Sequence, residues 1–274
     1  MNLKLKRALA VITYIRLCSG SSIIKNSHIS DELYNLAKIV SDNNKIVLPD
    51  KNESLDIWNM WFQKNFLKSE NIDDQDTLSI SNYEYHNQIE HLIHKLGLIN
   101  EKLPKHINYD CVVIFGGTPW DTLERFMFIK KTNVSSNNYV YINGLRKLNN
   151  MEIDYIKQNY NETIIYQHEF ADFLWNKLFN DDLNILTIEP YSSKRINTFD
   201  TIKVFFDGWN NYCSYLFVSN NPYGLYQKET LMKYVNKNVR NKIIDICYSS
   251  INRNIPTLVY LDTIARRFYT KISN

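Results

Sequence analysis

The segment Asp110-Cys-Val-Val-Ile-Phe-Gly-Gly-Thr118 constrains the fold of this chain more than any other stretch. A short run of β-branched and apolar residues ends in two glycines and a threonine, and an amphipathic pattern over 120–131 follows at once. That succession reads as a buried strand, a tight turn and a helix. Gly116 and Gly117 permit positive φ or close approach of backbone to a ligand. Thr118 opens a helix whose N-terminal N–H groups suit an anion. The pattern then repeats. Strands are expected at 111–115, 139–142, 163–166, 185–188, 215–219 and 243–248, with helices at 120–131, 150–160, 169–179, 197–209 and 223–235. Strands alternating with helices imply an α/β fold with a parallel sheet covered on both faces. Its crossovers are right-handed, and a ligand binds outside the carboxyl ends of the strands.

Before Asp110 the period is helical. Ser30 caps a helix through Val40. Ser54 opens a second that carries Leu55, Trp58, Trp61, Phe62 and Phe66 near helical spacing. A third spans 81–95 and stops at Gly97, a natural C-terminal cap. The Trp/Phe stripe has two readings, a partner-binding face or packed core. Leu258, Leu261, Ile264, Ala265 and Phe268 share one face of a closing helix. The expected organisation is a helical region over 1–105, packed on an α/β domain over 106–274 that ends with that closing helix.

Composition narrows the classes. Of 274 residues, 44% are hydrophobic and 22% charged, which describes a folded globular chain. The net charge of +3 is spread along the chain without a basic block, so nucleic acid is not an expected partner. The abundance of Asn, Ile, Lys and Tyr reads as the coding bias of an AT-rich genome. Cys18, Cys111, Cys213 and Cys247 form no Cys-x-x-Cys pair, and buried thiols of this kind behave as small hydrophobes. His91 and His94 stand three apart beside His86, with no third metal ligand in view, and read as surface histidines. No segment has the length of a transmembrane span, which leaves peripheral association compatible with the sequence. Lys4, Lys6 and Arg7 precede the apolar run from Ala8 to Ile15. Core helix is the plain reading of residues 1–22, with a cytoplasmic protein; if they act as a leader, the protein is periplasmic or secreted.

The residues at the strand tips are the candidate site. Gly116, Gly117 and Thr118 follow the first strand, and Arg125 stands in the next helix. Asn143, Gly144 and Arg146 follow the second, where a guanidinium suits a fork on phosphate or carboxylate. Glu169 opens the helix after the third, as a cap or as a site residue. Asn197, Thr198, Asp200 and Thr201 begin the helix after the fourth, where Asn197 or Thr198 also serves as N-cap. Ser219, Asn220 and Tyr223 follow the fifth. Glu169 and Asp200 are the acid/base candidates if a reaction occurs. The chain carries no P-loop, no complete G-x-G-x-x-G and no G-x-S-x-G elbow.

In order and spacing these tips resemble the YdcF-like (SanA/ElyC-like) family of Rossmann-type bacterial proteins. The matching marks are Gly116-Gly117, Arg125, Asn143-Gly144-Leu145-Arg146, Glu169, Asn197-Thr198-Phe199-Asp200-Thr201 and Ser219-Asn220-Asn221-Pro222-Tyr223. This chain has Pro222-Tyr223 and Tyr226-Gln227 where family members carry a His and an Arg, and so looks like a divergent subgroup. The resemblance implies a Rossmann-like sheet of about five or six strands, with helices on both faces and an N-terminal helical region. It also implies a small anionic or nucleotide-like ligand, S-adenosylmethionine or a phosphorylated compound, and a link to the cell envelope. The alternative from a different class is a non-catalytic binding or scaffold protein that uses the Trp/Phe helical face.

Overall fold

A computed structural model describes residues 22–67, 83–143, 146–179, 185–188, 197–250 and 255–273. The leader question over the N-terminal residues, Gly144 and Leu145 lie outside them. The chain divides into two compact units.

One unit joins Met1–Glu101 to Asn221–Tyr226 and Ser250–Asn274. It opens on a small antiparallel ribbon, β1 (Ile24–Lys25) and β2 (His28–Ile29). Helices α1 (Asp31–Asn44), α2 (Leu55–Asn65) and α3 (Tyr83–Lys95) follow. Ser30 and Ser54 cap the first two as expected, each accepting a backbone N–H three residues on. Gly97 takes positive φ, and the bond from Leu98 N–H to the Ile93 carbonyl ends α3. Trp58, Phe62 and Phe66 are fully buried and Trp61 nearly so. They meet edge-on and tilted, with Phe62 4.9 Å from Phe268. This burial corrects the reading of the Trp/Phe stripe as an exposed partner-binding face: it is the core of the unit, and the scaffold alternative built on it is withdrawn.

The closing helix α9 (Thr257–Ile272) supplies the other wall of that core. Leu261, Ile264, Ala265 and Phe268 are buried among the α2 aromatics, and Gln63 Nε2 donates to the Ala265 carbonyl at 2.9 Å. The sequence placed this helix with the sheet. Its apolar face shows that it buries a stripe, not which stripe it buries against.

The second unit is Lys102–Asn220 with Gln227–Ser249. Its strands are β3 (Cys111–Phe115), β4 (Tyr139–Ile142), β5 (Ile185–Ile188), β6 (Ser214–Asn220) and β7 (Ile243–Ser249). They lie in the order β5-β4-β3-β6-β7 with every neighbouring pair parallel. Alternate residues build two cores. Val112, Ile114, Tyr141, Leu216 and Val218 face α4 (Pro119–Thr132), α5 (Asn150–Tyr160) and α6 (Gln167–Phe179). Val113, Phe115, Ile142, Tyr215 and Phe217 face α7 (Thr198–Gly208) and α8 (Gly224–Asn238). Cys111 lies in the sheet, where burial pushes its thiol up to about 12, so it is an inert hydrophobe.

One candidate strand stays out of the sheet. Residues 163–166 pair in a short antiparallel contact with 146–148, through Leu148 N–H to the Ile165 carbonyl and an isolated bridge from Lys147 to Tyr166. Thr-Ile-Ile-Tyr has strand propensity, but β5 occupies the place beside β4. Propensity does not choose a partner. Among the described residues no helix is long and apolar enough to cross a membrane.

Candidate functional site

The strand order fixes where the sheet opens. From β3 the chain runs to β4 and β5 on one side, then returns to β6 and β7 on the other. The connections after β3 and β6 therefore diverge, and the carboxyl ends of these two neighbours form the topological switch point. Gly116, Gly117, Thr118, Ser219 and Asn220 stand there, with Asn143 at the adjoining end of β4.

Local sequence builds this edge. Thr118 and Asp121 form a reciprocal capping box, and Pro119 takes the first turn of α4. Asp121 Oδ2 accepts the Thr118 hydroxyl at 2.6 Å and its N–H at 3.1 Å. One turn on, Arg125 is only 1% exposed. Its Nε donates to Asn220 Oδ1 at 2.8 Å, and its Nη1 donates to the Phe115 carbonyl at the end of β3. Asn220 Nδ2 in turn donates to Asp121 Oδ1 at 2.9 Å and to Glu124 Oε2 at 2.7 Å. Arg125 is thus held within the protein and clamps β3 to β6. Ser219 is buried and donates to Gln227 Oε1.

A second polar chain runs beside β4. Arg146 places its fork on Glu152, both bonds 2.8 Å, and Glu152 also caps α5 through Asn149. Arg146 Nε reaches Gln167 Oε1 at 3.4 Å, and Gln167 Nε2 donates to the Tyr141 hydroxyl at 3.0 Å. That hydroxyl also bonds Thr122 at 2.9 Å and faces the Gly117 N–H. Burial raises the phenol above its ordinary value, against the Thr122 bond and the Arg125 charge, so Tyr141 is a neutral connector. The bidentate grip expected of Arg146 is real, but its partner is Glu152.

Between these chains lies Asn143, 3% exposed. Among the described residues, neither its Oδ1 nor its Nδ2 has a hydrogen-bond partner. Buried amides are normally satisfied, and an unsatisfied one costs about 1–3 kcal/mol per group. Gly116 explains how the side chain fits. A Cβ at Gly116 would stand 2.5 Å from Asn143 Cβ and 2.9 Å from Gln167 Nε2. Gly117 is equally confined, since its Cβ would meet Asp121 Cβ at 2.7 Å. Both glycines are required by close approach, and neither takes positive φ. At the end of β7, the buried Ser249 hydroxyl also has no partner among the described residues.

The remaining candidates make contacts of their own. Asn197 caps α7 in a box with Asp200, at 3.0 Å from the Asp200 N–H, and Thr201 Oγ1 donates to the Thr198 carbonyl at 2.9 Å. Glu169 accepts the Tyr166 N–H at 3.0 Å and the Ile165 N–H at 3.3 Å. Both proposed acid/base groups therefore serve as helix caps. Tyr223 belongs to the helical unit, where Asp262 holds Arg266 at 2.8 Å. His91 and His94 are exposed on α3.

Sequence reading missed Asp121, Glu124, Tyr141, Glu152 and Gln167. Two of them carried a signal: Thr118-x-x-Asp121 and Asn149-x-x-Glu152 both have capping-box spacing. Tyr141 and Gln167 had none, because a buried tyrosine hydroxyl and its partner meet only after the strands pair. Compared with known proteins, the chain matches no family model, no curated protein and no solved structure.

Proposed function

We propose that the parallel-sheet unit binds a small nucleotide-like ligand, S-adenosylmethionine or a nucleotide, at the carboxyl ends of β3, β4 and β6. The observation that carries this reading is Asn143. A buried amide with both its donor and its acceptor unpaired weakens the folded protein unless a partner completes it. It stands at the strand edge where ligands of open α/β sheets bind, and a rigid polar frame surrounds it. The YdcF-like resemblance supports the same edge and the same ligand class. Asn143 supplies one donor and one acceptor on a planar group, which complements a heterocycle edge or an amide.

The frame suits binding and orientation. Glu169 and Asp200 act as caps, so any chemistry at this edge would draw on Glu124 or Asp121 in their place. The test is a thermal-shift panel on the full chain with S-adenosylmethionine, nucleosides, nucleotides and sugar phosphates. A saturable upward shift with a nucleoside-bearing compound is expected, and Asn143→Leu should abolish it. No shift with any compound, or an equal shift in the variant, would contradict the reading.

A further inference from the structure

A ligand at Asn143 would also meet the residue packed beside it, Gln167. On the premise of that proposed ligand, we infer that Gln167 is a second ligand-binding amide. Arg146 and Glu152 hold it as a donor alone, so the ligand places an acceptor, a ring nitrogen of an adenine-type base, against its Nε2.

The two amides adjoin. The point where a Gly116 Cβ would stand is 2.5 Å from Asn143 Cβ and 2.9 Å from Gln167 Nε2. Both residues are buried, Gln167 at 5% exposure and Asn143 at 3%. A carboxamide nitrogen carries two protons. The Tyr141 hydroxyl takes one from Gln167, at 3.0 Å. The other has no partner among the described residues, and the adjoining Asn143 Oδ1 does not accept it.

An amide can in general turn either way, but this one is fixed from both ends. Arg146 is gripped by its two 2.8 Å bonds to Glu152, and a guanidinium carries donors only. Its Nε reaches Gln167 at 3.4 Å, a contact that the amide meets only with its oxygen. At the other end, Thr122 Oγ1 donates to the Thr118 carbonyl at 3.1 Å, so the Tyr141 hydroxyl is the donor in its 2.9 Å bond to Thr122. That leaves the phenol oxygen to accept from Gln167 and from the Gly117 N–H. Turning the amide would set its NH2 against the Arg146 N–H. Asn143 has no such partner to fix it among the described residues, and its amide can present either order. Together the pair offers one invariant donor beside an adaptable donor–acceptor edge. Adenine complements it, with an amine that donates beside ring nitrogens that accept, the edge with which Asn and Gln side chains pair.

Calorimetric titration of the full chain with adenosine and its 1-deaza, 3-deaza and 7-deaza analogues tests this, because each analogue replaces one acceptor nitrogen by C–H. The wild type is expected to bind one of the three about tenfold more weakly than adenosine, as a buried donor left unpaired requires. Gln167→Met keeps the volume, removes the donor and should abolish that preference. Arg146→Met frees the Gln167 amide to turn and should narrow the preference, whereas a loss of packing alone would weaken all four probes alike. An unfolding transition is recorded for each variant, and Gln167→Glu, which keeps the shape but presents only oxygens, replaces a Gln167→Met that does not fold. Equal affinity of the wild type for all four probes, or a preference unchanged in a folded Gln167 variant, would overturn the inference and leave the binding reading standing. So would silence from adenosine while another nucleoside or S-adenosylmethionine binds. No binding by any nucleoside or by S-adenosylmethionine would overturn both.

Discussion

The two ends of the parallel sheet are made of the same strands and helices, yet they treat polar groups differently. At the amino end, polar groups are closed upon one another. Asp245, on the edge strand β7, accepts the Lys105 N–H at 2.8 Å and the Tyr109 hydroxyl at 2.9 Å, and lies 3.3 Å from Lys102 Nζ. Asp110 accepts the N–H groups of Cys213 and Ser214 together with the Ser214 hydroxyl. These bonds fasten the chain entering the sheet to its edge strand and its neighbours. At the carboxyl end the Arg125 and Arg146 chains are just as well paired, but among the described residues Asn143 between them and Ser249 beyond are not. Satisfied polarity is architecture. On the proposed reading, the unsatisfied amide of Asn143 inside an otherwise complete frame is where a ligand would bind.

The sharpest way to break this contrast is to damage the amino end. Asp245→Ala removes the counter-charge of Lys102, leaving its ammonium on the Ile246 carbonyl, and leaves the Tyr109 hydroxyl proton without its acceptor. It should cost about 3 kcal/mol in urea unfolding, the low end for a broken buried pair because Lys102 keeps some access to water. Ligand affinity should be unchanged. The same carboxylate gives a pH signature. Burial opposes its ionisation, but the Lys105 N–H, the Lys102 charge and the Tyr109 hydroxyl outweigh burial and hold its carboxyl below the usual value. A depressed pKa contributes stability in full above the unfolded-state value of about 3.9, and that contribution is lost as pH falls through the folded value. The stability gap between the wild type and Asp245→Asn should therefore be constant near neutrality and narrow below about pH 4.

Next in size, Gly116→Ala forces a methyl group against Asn143 Cβ and should destabilise by about 2 kcal/mol, as overpacked positions do. Unlike Asp245→Ala, it should also weaken the ligand. Asn143→Leu is expected to act in the opposite sense on the empty protein. Removing an unpaired amide at nearly constant volume should stabilise by about 1 kcal/mol and raise Tm by about 2–4 °C for a chain of this size. The smallest effect belongs to Asp200→Ala, which loses one side of a capping box. It should cost at most about 1 kcal/mol and leave binding untouched, as a cap does and a catalytic acid does not.

Much of this was legible in the residues. The change of period at Asp110, the caps at Ser30 and Ser54, and the Gly97 stop are local signals, and local signals survive in a sequence. Residues 163–166 and the closing helix misled for one reason: strand propensity and an apolar stripe say that a segment pairs or buries, but its partner is a tertiary choice. The site followed the same rule. As candidates, Gly116, Asn143, Ser219 and Asn220 were placed by their position at strand ends and Arg125 by its place in the following helix, and these residues stand together at one edge of the sheet. Their roles were not legible, because Arg125 looks the same in sequence whether it grips a phosphate or the Phe115 carbonyl. Glu169 and Asp200 show the converse, since an acid at a helix start reads equally as cap and catalyst.

The most direct test of the central claim is a paired titration of the wild type and Asn143→Leu with a nucleoside-bearing ligand such as S-adenosylmethionine, followed by calorimetry alongside the thermal unfolding of both. The account predicts saturable binding to the wild type, its loss in the variant, and a variant that unfolds at the same temperature or higher when empty. Equal affinity in both proteins, or a variant destabilised by the loss of that amide, would show that Asn143 is architecture and not a ligand contact.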